Sequence, residues 1–185
     1  DIPELPDDKK KRFIDEFKVS AYEATILVSD IETAKYFEEV VAKMGKNRDM
    51  KLAVNWITGE LFAVLNNKNL EISESPVSAK NLAKLINLIK NGTISGKIAK
   101  TIFELMMDGD KDPQIIVEEK GLKQQSDPKA LEALIDKIID DNREKAIEYK
   151  NGKEKLFGFF VGQAMKVSGG KANPQLINEI LKKKL

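Results

Sequence analysis

The sequence contains no cysteine and no histidine. Their absence excludes disulfides, thiolate nucleophiles, Ser-His-Asp and Cys-His catalysis, imidazole general bases, and zinc sites of the usual Cys or His type. Aromatic residues are sparse, 6% of 185, with one Trp at position 56. No apolar run approaches the roughly 18 residues that a membrane span needs. The opening Asp1-Ile2-Pro3-Glu4 is neither an initiator Met nor a signal peptide, so the expectation is a cytoplasmic piece of a longer chain that makes no membrane contact. An excess of one charge is missing too: 31 Lys and Arg stand against 30 Asp and Glu, and the net +1 does not by itself announce a polyanionic partner. There is no internal repeat. A chain that is 42% hydrophobic and 33% charged at this length suffices for one medium domain or two small ones.

The apolar residues recur with helical period. Leu131, Leu134, Ile135, Ile138 and Ile139 fall at offsets 0, 3, 4, 7 and 8, one buried helix face. Leu82, Leu85, Ile86 and Ile89 read the same way, as do Ile98, Ile102, Leu105 and Met106, each group preceded by a serine suited to the N-cap, Ser78 and Ser95. Asp112-Pro113, Asp127-Pro128 and Asn173-Pro174 pair a capping side chain with a proline at the first helical position, predicting three more helix starts. No long alternating pattern competes, and Asn91-Gly92, Asn151-Gly152 and Ser168-Gly169-Gly170 mark short turns. The fold class expected is all-α, a compact helical bundle. The single Trp56 is expected to be buried as an anchor of the first part of the chain.

Charge is unevenly placed. Residues 150–185 carry eight Lys against Glu154 and Glu179, a net +6, whereas the preceding 149 residues carry −5. A basic end behind an acidic body suits a polyanion, although Lys-rich helix ends also serve solubility and dipole pairing. The helical stretch read over 153–168 sharpens this. At 100° per residue, Leu156, Phe157, Phe160, Val161, Ala164 and Val167 share a core side, while Lys155, Gly158, Phe159, Gly162 and Lys166 share the other. Lys155 and Lys166 return within about 20° of each other after three turns, about 16 Å apart. Two mid-helix glycines, at roughly 1 kcal/mol each relative to Ala, predict a close approach, by a packed neighbouring helix or by a ligand backbone. Phe159 is expected beneath a partner helix, or on a base if exposed.

Two motifs are discounted. Gly169-Gly170-Lys171 lacks the upstream Gly of a phosphate loop, where Met165 stands, and the Ser or Thr after the Lys, where Ala172 stands. Asp108, Asp110, Asp112 and Glu119 match four ligand positions of a calcium loop, but Pro113 occupies the position that needs a glycine turn. No metal site and no catalytic constellation is assigned.

Several runs, in order, resemble the B subunit of the bacterial tRNA-dependent amidotransferase (GatB). They are Pro3-Glu4-Leu5-Pro6-Asp7, Ala34-Lys35-Tyr36-Phe37-Glu38, Asn55-Trp56 with Gly59-Glu60-Leu61, Ser75-Pro76-Val77-Ser78, and Gly96-Lys97-Ile98-Ala99-Lys100. The matches continue with Glu118-Glu119-Lys120-Gly121-Leu122, Gly158-Phe159-Phe160-Val161-Gly162-Gln163-Ala164-Met165-Lys166, and Gly170-Lys171-Ala172-Asn173-Pro174, so that they span essentially the whole chain. Arg143, where the family often has Pro, and Gln125, where Ile is common, depart from it.

The resemblance implies a helical domain over 1–114 and a small YqeY-like helical tail domain over 115–185, joined somewhere within 109–122, with the catalytic cradle upstream of Asp1. In that family the complex converts Glu-tRNA(Gln), and often Asp-tRNA(Asn), using ATP, Mg²⁺ and ammonia from glutamine, with the A subunit as glutaminase and the C subunit as a further partner. This chain alone would then be no enzyme and hold no cofactor. It would be a tRNA-binding region that positions aminoacyl-tRNA, its tail reaching the tRNA elbow. The candidate RNA-binding residues are Lys153, Lys155, Lys166, Gly170, Lys171 and Asn173, with the helix start at Asn173-Pro174 offering backbone N–H groups to an anion. The alternative is a helical scaffold for the rest of the amidotransferase complex without direct RNA contact. The segment 108–127, with Gly109, Pro113, Gly121 and Lys123-Gln124-Gln125-Ser126, is expected to be the loosest joint.

Overall fold

The computed structural model describes residues 4–46 and 48–185; residues 1–3, which include Pro3 of the resemblance, lie outside the described residues. Among the described residues the chain is all-α, twelve α-helices with one π-helical and one 3-10 turn, and no β structure beyond an isolated parallel bridge between Gln125 and Ala172. It divides into two compact units, Asp1–Asn91 with Ile102–Ile116, and Gly92–Thr101 with Val117–Leu185.

In the first unit lie α1 (Pro6–Phe17), α2 (Ala21–Leu27), α3 (Ile31–Met44), α4 (Met50–Asn55), α5 (Phe62–Lys68) and α6 (Ala79–Lys90). Local chemistry starts most of them. Ser20 and Glu23 form a reciprocal capping box on α2, Asp30 accepts from the N–H groups of Glu32 and Thr33 on α3, and Asp49 accepts from Leu52 on α4. Ser78 caps α6 as its position predicts. Helices α3 and α6 pack together most extensively in this unit. Phe13, Phe17 and Phe37 form a cluster with ring centroids 5.2–5.4 Å apart. Trp56 is 6% exposed and meets Phe103 edge-on at 5.6 Å, the buried anchor expected of it. It opens a π-helical segment, Trp56–Leu61, between α4 and α5.

Helices α7 (Gly96–Met106) and α8 (Pro113–Glu119) each contribute residues to both units. The start of the 108–127 segment is hydrogen-bonded within the first unit. Asp110, at φ +49°, accepts the Ser78 N–H at 2.9 Å, and the buried Asn81 amide donates to the Asp110 carbonyl at 2.8 Å. Asp112 caps α8 through the Gln114 N–H and pairs with Lys84. Two of the carboxylates spaced like a calcium loop, those of Asp110 and Asp112, therefore fasten this loop to α6 and its cap.

The second unit holds α9 (Pro128–Asp141), α10 (Arg143–Lys150), α11 (Leu156–Val167) and α12 (Pro174–Lys184). Leu131, Ile135 and Ile138 of α9, Phe160 and Ala164 of α11, and Ile177, Ile180 and Leu181 of α12 bury one core. Asp127 and Asn173 cap α9 and α12 before their prolines, as the Asx-Pro pairs predict. Helix α11 starts at Leu156 and not at Lys153, because Gly152 takes φ +100° and the Lys153 N–H reaches back to the Glu148 carbonyl, folding 152–155 into a turn. Val167, placed on the core side by periodicity, is 61% exposed, because the buried stripe centres on Phe160 and Ala164 and leaves the last residue of the helix outside the cluster.

Candidate nucleic-acid interface

One face of α11 is open. Lys155, Gly158, Gly162 and Lys166 are all exposed, and at 100° per residue they occupy an arc of about 80° opposite Phe160 and Ala164. Lys155 stands at the N-cap but has helical dihedrals, φ −58° and ψ −23°, so it stays in register with Lys166. A Cβ added at Gly158 or Gly162 would meet nothing within 4 Å. The expected close packing of a neighbouring helix against these glycines is thus absent among the described residues, and the notch faces solvent. Phe159 departs from both expectations. It is half-buried, its ring edge-on to Phe160 at 5.4 Å, and the Lys145 ammonium stands 4.6 Å from its centroid in a cation–π contact.

The candidate residues fall into three groups. Lys155, Lys166 and Lys171 carry no ion pair among the described residues. Lys153 is exposed in the turn before α11 and donates to the Glu148 carboxylate at 2.9 Å, a hydrogen bond that holds the Glu148 carboxyl below its ordinary range. Gly170 and Asn173 do structural work. Gly170 is buried at φ +81°, its N–H bonds the Met165 carbonyl at 2.8 Å, and its carbonyl accepts from the Ser95 hydroxyl at 2.9 Å. The Lys171 carbonyl accepts from the Gln125 N–H at 2.6 Å, and the Asn173 N–H returns to the Gln125 carbonyl at 3.0 Å.

The start of α12 does not offer free donors. The Asn173 side chain takes the N–H groups of Gln175 and Leu176, the Asn173 carbonyl takes that of Ile177, and Pro174 has none. The turn therefore presents Lys171 from a fixed backbone, and an anion there would meet ammonium groups and not a helix N-terminus. Two lysines are not visible to periodicity. Lys145 covers Phe159, and Lys97 lies against Gly170, so that a Cβ at Gly170 would sit 3.2 Å from the Lys97 Cδ. Both placements depend on approaches between segments separated in sequence, which the projection of a single helix does not contain.

What these observations define is an all-α chain with an unpaired cationic helix face, and no group of three carboxylates positioned to hold a metal ion among the described residues. Residues 35–185 match the family described as the GatB domain. The whole chain is 97% identical over 185 residues to the B subunit of the aspartyl/glutamyl-tRNA(Asn/Gln) amidotransferase of Pelagibacter ubique (strain HTCC1062). It is 52% and 50% identical, over 184 residues, to the B subunits of the same name from Thioalkalivibrio sulfidiphilus (strain HL-EbGR7) and Ehrlichia chaffeensis (strain ATCC CRL-10679 / Arkansas). Each comparison takes 100% of this chain and 37–38% of the relative, so the chain spans under two fifths of the length of the curated relatives it matches. The chain belongs to the GatB family.

Proposed function

We propose that this chain is the part of an amidotransferase B subunit that engages aminoacyl-tRNA, with RNA phosphates lying along the open face of α11 and the turn that follows it. In this reading the first unit is the helical domain and the second is the YqeY-like tail. Lys155, Lys166 and Lys171 meet phosphates, Lys153 sits at the margin, and Gly170 and Asn173 hold the turn that presents Lys171. The observation that carries it is the pairing of exposed, uncovered Gly158 and Gly162 with two lysines that have no counter-ion on the same arc. A backbone can approach closely only where side chains are missing, and ammonium groups without carboxylates leave their charge available to an external anion.

The amidation of Glu-tRNA(Gln) or Asp-tRNA(Asn), with ATP, Mg²⁺ and glutamine and with the A and C subunits, is assigned in this reading to the full-length protein in its complex, in the cytoplasm. Among the described residues no group of three carboxylates is placed to hold Mg²⁺, and the nearest approach to one in the sequence, Asp108, Asp110 and Asp112, commits Asp110 to the Ser78 N–H and Asp112 to Lys84 and Gln114. No described helix is long and apolar enough to cross a membrane. The alternative is a helical scaffold within the amidotransferase complex without direct RNA contact; Tyr22 and Ile31, 76% and 67% exposed, are among the apolar side chains open to a partner.

The test is tRNA binding by the chain and by its Lys155→Gln/Lys166→Gln/Lys171→Gln variant, titrated across salt. The variant is expected to bind every tRNA more weakly, with the slope of log K against log salt shallower by roughly 0.7–0.9 for each lysine–phosphate pairing removed. Its melting temperature should barely move, because lysines without an ion pair, two of them exposed and Lys171 partly so, contribute little to stability. Unchanged affinity and slope would remove RNA from this face.

A further inference from the structure

We infer that Lys97, at the start of α7 and distant in sequence from α11, is a further phosphate-binding residue of the same surface, an inference that rests on the RNA reading above. Its stem lies over Gly170. The Lys97 Cδ and Cε lie 3.2 and 3.7 Å from where a Cβ on Gly170 would be, beside a residue whose positive φ calls for glycine. The two segments are also tied by a buried hydroxyl. Ser95, 6% exposed, accepts the Ile98 N–H at 3.2 Å as the cap of α7 and donates to the Gly170 carbonyl at 2.9 Å. The start of α7, which carries Lys97, is therefore tied to the turn that carries Lys171, one residue beyond Gly170.

Stability does not account for a cation at this position. Lys97 sits in the first turn of an eleven-residue helix whose first turn holds no acidic residue, where the aligned peptide dipoles repel positive charge. It is exposed and has no ion pair among the described residues. Lys171, on the turn that Lys97 lies against, adds like charge. Two ammonium groups carried by one fixed turn and its neighbour, without an anion of the chain's own, suit a phosphodiester oxygen, which they neutralise without reading sequence.

The test uses the full chain carrying Lys97→Met, which keeps an unbranched stem to lie over Gly170 and removes only the ammonium. Its tRNA affinity at low salt should fall roughly three- to tenfold, with the salt slope shallower by roughly 0.7–0.9. Its melting temperature should stay level or rise, because a cation has left a helix N-terminus. Lys97→Arg should restore both affinity and slope. If Lys97→Met binds like wild type while the Lys155/Lys166/Lys171 variant is weakened, Lys97 does not meet the RNA and the RNA reading stands; if neither variant is weakened, the RNA reading itself falls.

Discussion

Asp112 shows how a side chain spaced like a metal ligand serves the fold instead. Burial pushes its carboxyl up, but the hydrogen bonds from Lys84 and the Gln114 N–H, with the charges of Lys84 and Lys80, outweigh burial and hold it below the ordinary 3.8. A carboxyl depressed in the folded state stabilises the protein above the unfolded value and loses that contribution as pH falls through the folded one. Asp112→Asn can still cap α8 but cannot pair with Lys84. It should cost about 1 kcal/mol at pH 7, modest because the pair is partly exposed. As pH falls through the lowered value of the folded wild-type carboxyl and it too becomes protonated, the difference should close. Urea unfolding of the two proteins at pH 7 and at successively more acid pH checks this; a difference independent of pH would mean that charge is not what Asp112 supplies.

At the scale of elements, α11 carries two glycines that its own stability does not require. Neither needs a positive φ and neither has a neighbour within 4 Å, so Gly158→Ala with Gly162→Ala should stabilise the second unit by about 1 kcal/mol per site. If an RNA backbone uses the notch, the same double variant should bind tRNA more weakly while melting higher. Higher melting with unchanged affinity would leave the notch without a ligand. Helix starts are legible in the sequence wherever one side chain decides them: Ser78, Ser95, Asp112, Asp127 and Asn173 all cap as their local pattern predicts. Ser20 with Glu23 carries an equally local signature on α2. The π-helical turn at Trp56–Leu61, the exposure of Val167, and the covering of Phe159 by Lys145 are not legible. Each is settled by what packs nearby, and a 100° projection of one helix contains no neighbours.

For the whole molecule, the charge imbalance seen along the sequence becomes a property of the second unit. Its two segments hold sixteen Lys and Arg against eleven Asp and Glu, while the first unit is net acidic, and the second unit gains Lys97 and Lys100 from a stretch whose charge does not stand out in the sequence. The open arc of α11 is legible from spacing; its extension to Lys97 is not, because it runs through Gly170. The most direct measurement is a lysine footprint: acylation of the full chain, free and with tRNA bound, read residue by residue by mass spectrometry. The expected result is that Lys97, Lys155, Lys166 and Lys171 lose reactivity in the complex while the exposed Lys43, Lys51 and Lys68 of the first unit keep theirs. Protection confined to the first unit, or none at saturating tRNA, would contradict RNA binding by the face of α11.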